Sequence, residues 1–451
     1  MKADNFALEA PHDCAIYLPA LSSGYIDLAV DGLTPDRVLP DGFAMEDTAF
    51  WTGNSRMFNH KFCLHSVGSH KVGATLTNTL VDRTRGNYTI VGDSGGYQIG
   101  KGTLKGLVDL HTGMGGKEAA AAWTYKNARS RHWIIDTLKT HFDYAVTIDM
   151  ALWFTSPNGA QSPFHKCTEQ QLIDMTVANL KLIKQYGLNE RAKWLNVLQG
   201  TNPVNTITWW NAVKDFKQGG WSLAGAAGWR GGLHNMLMLL LTMRDENAFD
   251  AGQDWLHMLG VSQPAWHMYF TACQNILREQ SGNHNLQFSY DSSSPILSAG
   301  KTDCYAYVPE LEADESTWKV TYKQLDAVRS NASNSSKAFP QNTSPLGSLF
   351  NMSHLVIDDS DFSGRRIDAA TNQIMACHNI WVYLDFGRRI QDIAFTTKSK
   401  RKRIPQRYLE GLEVLEGAFA AENWRDYIDA NKATLDNVAT LQYEYTSELH
   451  N

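Results

Sequence analysis

The sequence predicts an α/β fold built on a parallel sheet and closed as a TIM-like (β/α)8 barrel. Three observations point there: short apolar runs alternate with amphipathic stretches over residues 88–295, the stretches between carry helix caps and stops, and polar residues collect at strand ends. At 451 residues the chain accommodates one barrel of about 250 residues or more with an added part.

The strands read as buried because their apolar residues are continuous rather than alternating. They are predicted over 89–92, 144–148, 194–198, 222–226, 257–261 and 286–290. One helix starts at the capping-box pattern Thr168-x-x-Gln171, carries Ile173, Val177, Leu180 and Ile183 on one face, and stops at Gly187. A second begins beside Pro203, carries Val204, Ile207, Trp210 and Val213, and is expected to stop at Gly219-Gly220. Two more are predicted over 234–249 and 264–280. This order of elements fits an open doubly wound sheet as well as a closed barrel. The barrel is favoured because Asp93, Asp149, Gln199 and Asp291 each stand at or just past the C-terminal end of a different strand, as barrel active sites do. No strand leads into the glycine pattern of a dinucleotide-binding sheet.

The catalytic barrel is therefore assigned to 1–330, a polar Ser/Asn/Pro-rich loop or insertion to 331–347, and a basic, mainly helical part packed on the barrel to 348–451. The whole chain has a net charge of −6, which argues against a nucleic-acid partner. Between Arg365 and Arg407, however, ten basic side chains face three acidic ones. A solvated face is the ordinary explanation of such a run. Its density favours phosphate contacts from Arg365, Arg366, Arg388, Arg389, Lys398, Lys400, Arg401, Lys402 and Arg403. The apolar run at 236–243 is too short to cross a membrane, and the first residues lack the pattern of a secretory signal. A cytoplasmic protein with reduced thiols is expected, its six cysteines forming no CxxC pair. The histidine-rich stretch 60–70 fits a ligand cluster, a pocket rim or plain surface equally.

The most informative string is DSGGYQ, residues 93–98, directly after a predicted strand. Two glycines let backbone approach a ligand, Asp93 brings a carboxylate, and Tyr97 offers a face to a planar ring. A strand-to-loop turn capped by Asp93 would use the same residues. Likewise Asp291 in DSSSP reads, taken alone, as a loop aspartate, and Leu259 as core.

The string resembles the DSGG[FY]Q signature of the tRNA-guanine transglycosylase family. VTID ending at Asp149, NVLQG at 196–200, LAGA at 223–226, MLGV at 258–261 and Asp291-x-x-x-Pro295 resemble the family's later strand-end motifs in the same order. The resemblance is good over 88–295, vague over the first 87 residues and poor over the last 150. It implies a TIM barrel that exchanges guanine in nucleic acid for a 7-deazaguanine, with Asp291 as nucleophile and Asp93 as general acid/base. It also implies that Ser94, Gly95, Tyr97, Asp149, Gln199, Gly225, Ala226 and Leu259 hold the base. The family's CxCxxC zinc cluster is missing; Cys304, Cys377, His378 and His354 match no common metal spacing, so no metal or other cofactor is expected. The loop 225–230 has no acidic residue to meet a cationic base, which favours a neutral one such as the 7-cyano base. These departures resemble the divergent branch of bacteria and bacteriophages that acts on DNA. DNA is the expected partner, with tRNA modification and a non-catalytic nucleic-acid-binding barrel as the alternatives.

Overall fold

A computed structural model of the chain describes residues 4–5, 13–30, 39–77, 80–81, 88–188, 191–224, 229–325, 338–339, 343–355 and 367–439. Eight parallel strands close a barrel: β1 (Ile16–Leu21), β2 (Phe62–Ser66), β3 (Thr89–Asp93), β4 (Tyr144–Val146), β5 (Lys193–Leu198), β6 (Gly219–Leu223), β7 (Trp255–Met258) and β8 (Gln287–Ser292), with β8 pairing back onto β1. Closure leaves no open edge, and it brings all eight C-terminal strand ends to one rim.

Six of these strands lie where the apolar runs predict them, with two shifted: β7, expected at 257–261, runs from Trp255 to Met258, and β6 moves in the same direction. The sequence places β6 at 222–226; it runs from Gly219 to Leu223. Gly219-Gly220 is not a helix stop but the start of the strand. Any Cβ on Gly220 would sit 2.1 Å from the carbonyl oxygen of Trp255, so only glycine lets β6 lie this close to β7. The preceding helix, Pro203–Val213, ends earlier. The two remaining strands come from the first 87 residues. Pro19 obscures β1, because proline normally argues against a central strand. It is tolerated where β1 changes partner: Pro19 is the last residue paired with β8, opposite Ser292, and pairing with β2 begins at Ala20.

The helices follow their signals. Thr168 accepts from the Gln171 amide while the Gln171 side chain accepts from the Thr168 amide, opening the helix Glu169–Leu182. Helices Gly232–Asp245 and Trp266–Ser281 fill the predicted places. Two apolar layers result. A small inner core, including Leu18, Leu64, Val91, Val146, Leu195 and Val197, fills the barrel, and a much larger one separates strands from helices.

The C-terminal part is an integral layer. Its helix Ala369–Gln391 is buried on nearly every face. Gln373 donates to the Tyr25 carbonyl, Asn379 donates to the carbonyls of Pro295 and Cys304, and the Tyr383 ring packs at a tilt against Tyr17, 5.4 Å between centroids. Cys377 and His378 are buried there, His378 Nε2 meeting the Ala306 carbonyl at 2.9 Å. Helices Gln406–Ala420 and Trp424–Ala430 fasten to the barrel through Tyr269 Oη on the Tyr408 carbonyl and Trp424 Nε1 on Asp245. Within the expected polar insertion, Ser344 caps a short helix, Pro345–Leu349; residues 331–337 and 340–342 lie outside the described residues. Among the described residues no helix is long and apolar enough to cross a membrane.

Candidate active site

The C-terminal rim assembles the site from residues far apart in sequence. Asp93 ends β3, Asp149 and Gln199 stand just beyond β4 and β5, and Asp291 lies on β8. Asp149, Gln199 and Asp291 are buried, with exposures of 6%, 5% and 9%.

Asp93 is held from two sides. Ser66, its register partner on β2, donates from Oγ to Oδ2 at 2.6 Å, and the Gly95 amide approaches the same oxygen at 3.3 Å. Ser66 Oγ in turn accepts from the Gly68 amide, which fixes the hydroxyl. Gly95 has φ of +80°, and a Cβ there would lie 2.7 Å from the Gly68 Cα, so DSGG needs its first glycine for both reasons. Burial raises the Asp93 carboxyl above the usual range, opposed by the Ser66 hydrogen bond and reinforced by the charge of Asp291.

Asp149 Oδ2 accepts from Gln199 Nε2 at 2.6 Å. Burial pushes its carboxyl up to about 7, opposed by the Gln199 hydrogen bond and reinforced by the charge of Asp93. The three carboxylates thus act on one another electrostatically across the rim. A neutral acid and an anion side by side are the ingredients of proton transfer. Asp291 Oδ1 accepts from the Gly260 amide at 2.7 Å and lies 3.3 Å from His257 Nε2.

Tyr97 projects from the rim with 63% of its surface exposed. Trp153 supports it at 5.7 Å between ring centroids, and Lys101 Nζ lies over both rings. Leu259 borders the inner core and is partly buried. Ser94 does not face outward: it is buried and donates from Oγ to the Thr147 carbonyl. Gly225 and Ala226 lie outside the described residues.

Sequence reading missed three groups. Ser66 lay inside the histidine-rich stretch, whose histidines are structural: His60 meets the Tyr17 carbonyl, His65 the Leu21 carbonyl, and His65 and His70 approach each other at 2.9 Å. Arg230 brings a guanidinium 3.9 Å from where a Cβ on Gly260 would be, beside the turn whose amide binds Asp291. His257 required knowing which strands pair.

Most of the basic segment is ion-paired within the chain. Arg388 and Arg389 both bind Asp385; Lys400 binds Asp392, Arg401 binds Glu416, and Arg403 binds Glu310 and Glu312. Lys398 and Lys402 are exposed with no ion pair among the described residues, and Arg365 and Arg366 lie outside them. Among the described residues no group of three or more His, Cys, Asp or Glu side chains is placed to hold a metal. A separate apolar cavity of about 220 Å³, lined by Tyr17, His267, Tyr290 and Tyr383, includes none of the rim carboxylates.

Fold and site define a (β/α)8 barrel with a carboxylate-lined rim. No protein-family model matches the sequence, and no curated protein matches it.

Proposed function

We propose that the protein is a transglycosylase that exchanges guanine in DNA for a neutral 7-deazaguanine base by double displacement. The observation that carries this reading is the rim itself. Two carboxylates from different strands each have one oxygen tied by hydrogen bonds, Asp93 through Oδ2 and Asp291 through Oδ1. The other oxygen of each has no hydrogen-bond partner among the described residues.

Retaining glycosyl transfer needs one anionic carboxylate and one proton carrier. In the first step Asp291 Oδ2 attacks C1′, the C1′–N9 bond breaks, and its electron pair leaves with guanine, which takes a proton from Asp93. In the second, Asp93 removes the N9 proton of the incoming base. N9 then attacks C1′, and the C1′–Oδ2 pair returns to Asp291. The raised carboxyl of Asp93 suits a group that must hold a proton in one step and release it in the other. Asp149 and Gln199 offer a carboxylate oxygen and an amide to the hydrogen-bonding edge of the base.

Reaching C1′ in a duplex requires flipping the nucleotide, which costs a few kcal/mol. Stacking on an aromatic ring returns roughly 1–3 kcal/mol per base, and the exposed, Trp153-supported face of Tyr97 is suited to that. The test is to incubate the chain with labelled guanine and either duplex DNA or tRNA. Label in DNA supports the reading; label in tRNA alone makes this a tRNA-modifying enzyme, and label in neither favours a binding barrel without catalysis.

A further inference from the structure

Beneath Asp291 the barrel interior holds a polar column. Trp255 and His257 alternate on β7, Ser289 and Asp291 alternate on β8, and the register sets Ser289 opposite His257. Trp255 Nε1 donates to Ser289 Oγ at 2.7 Å, Ser289 Oγ lies 2.9 Å from His257 Nδ1, and His257 Nε2 lies 3.3 Å from Asp291 Oδ1. His257 and Ser289 are completely buried.

Between the two neutral tautomers of His257, counting protons selects one. An indole N–H can only donate, so Ser289 Oγ is the acceptor there. The serine's single proton then needs an acceptor of its own, and His257 Nδ1 is within reach. With Nδ1 accepting, the neutral imidazole carries its proton on Nε2, facing the carboxylate. The other tautomer would set the Nε2 lone pair against the lone pairs of Oδ1 and leave the serine proton without this acceptor. At 3.3 Å the Nε2 contact is within ion-pair distance but falls short of hydrogen-bond geometry, so a small turn of either side chain completes it.

We infer that His257 is a positioning residue for Asp291: its Nε2–H, fixed by the Trp255–Ser289 relay, joins the Gly260 amide on Oδ1 and leaves Oδ2 turned toward the reacting carbon. The inference rests on the transglycosylase reading. As Oδ2 bonds to C1′, the carboxylate's negative charge falls, and when that bond breaks the electron pair and the charge return. Two donors on Oδ1 stabilise the charge at the start and end and hold the group's rotation between.

The test compares three substitutions in the full chain. His257→Gln places an amide N–H near the position of Nε2, His257→Asn places one near Nδ1, and His257→Leu has neither. For exchange of labelled guanine, kcat of the Gln variant stays within about tenfold of wild type, while Asn and Leu fall by roughly a hundredfold or more, with KM for guanine unchanged. Equal kcat for Gln and Asn overturns the inference. A second readout needs no activity: in chain labelled with 15N-histidine, the His257 ring shows its proton on Nε2, and Ser289→Ala abolishes that single tautomer. A proton on Nδ1 in the wild type overturns the relay. If the wild type transfers no base to DNA or tRNA, the functional reading falls and the positioning role with it, while the tautomer still decides whether the column is built as described.

Discussion

Two regions stood out in the sequence for their charge, and the fold treats them in opposite ways. The carboxylates of Asp93, Asp149 and Asp291 are scattered over about 200 residues, yet they meet at one rim, Asp149 and Asp291 buried and Asp93 half-buried, and among the described residues Asp93 and Asp291 each keep one oxygen without a hydrogen-bond partner. The cations between Arg388 and Arg403 are dense in sequence, yet most are paired with Asp385, Asp392, Glu310, Glu312 and Glu416. Density along a chain is a weak guide to charge that a ligand can use. Convergence of separated residues that costs burial, without an internal counter-charge, is a stronger one.

The sharpest way to break this comparison is at Asp291. Asp291→Ala is expected to reduce base exchange by roughly a thousandfold or more while the far-ultraviolet circular dichroism stays as in wild type. Full exchange in that variant would reduce the rim to a structural feature.

Asp149 sharpens the comparison through pH. Its folded-state carboxyl is raised from 3.8 to about 7, so between those values the folded chain keeps a proton that the unfolded chain has released. Stability therefore falls as pH rises through that window. Asp149→Asn removes the effect, and urea denaturation should find the variant more stable than wild type at pH 8, on the order of 2 kcal/mol, with the gain fading toward pH 4. The same variant should raise KM for guanine by roughly tenfold to a hundredfold, because it loses a charged acceptor. A variant less stable at pH 8 would mean that the site does not hold its charge at a cost.

Tyr97→Ala removes a largely exposed ring and should leave the thermal midpoint within a degree or two. Loss of stacking should weaken nucleic-acid or base binding by roughly tenfold, read by fluorescence anisotropy. Smallest are the effects in the basic segment. If Lys398 and Lys402 contact phosphate, each alanine substitution lowers the slope of log affinity against log salt by about 1. Arg403→Ala should instead cost up to about 1 kcal/mol of stability, as partly exposed ion pairs do. A larger salt effect from Arg403 than from Lys398 would mean that its pairs open on binding.

Much of the barrel was legible because buried parallel strands and capped helices leave local marks. The runs around Val91, Val197 and Phe288 and the Thr168–Gln171 box need no tertiary information. What was hidden depended on closure. Pro19 masks β1, and Gly219-Gly220 resembles a helix end until Trp255 is seen against it. The helix Ala369–Gln391 is buried nearly all round although it mixes apolar side chains with Gln373, His378, Asn379 and Asp385, so no one-sided apolar stripe marks its burial. For the site, strand-end position brought Asp93, Asp149, Gln199 and Asp291 into view, and only the motif resemblance suggested roles for them. Ser66 and His257 were invisible because their roles come from lateral register, Ser66 against Asp93 and His257 against Ser289. Pairing of Arg403 with Glu310, over 90 residues away, is hidden for the same reason.

The most direct test of the central claim is to capture the covalent intermediate. Chain mixed with guanine-containing duplex DNA and no incoming base, then denatured and digested, should yield a peptide carrying the nucleotide on Asp291, and addition of a 7-deazaguanine before denaturation should remove it. Base exchange that proceeds with no adduct on Asp291, or that persists in Asp291→Ala, would contradict the account.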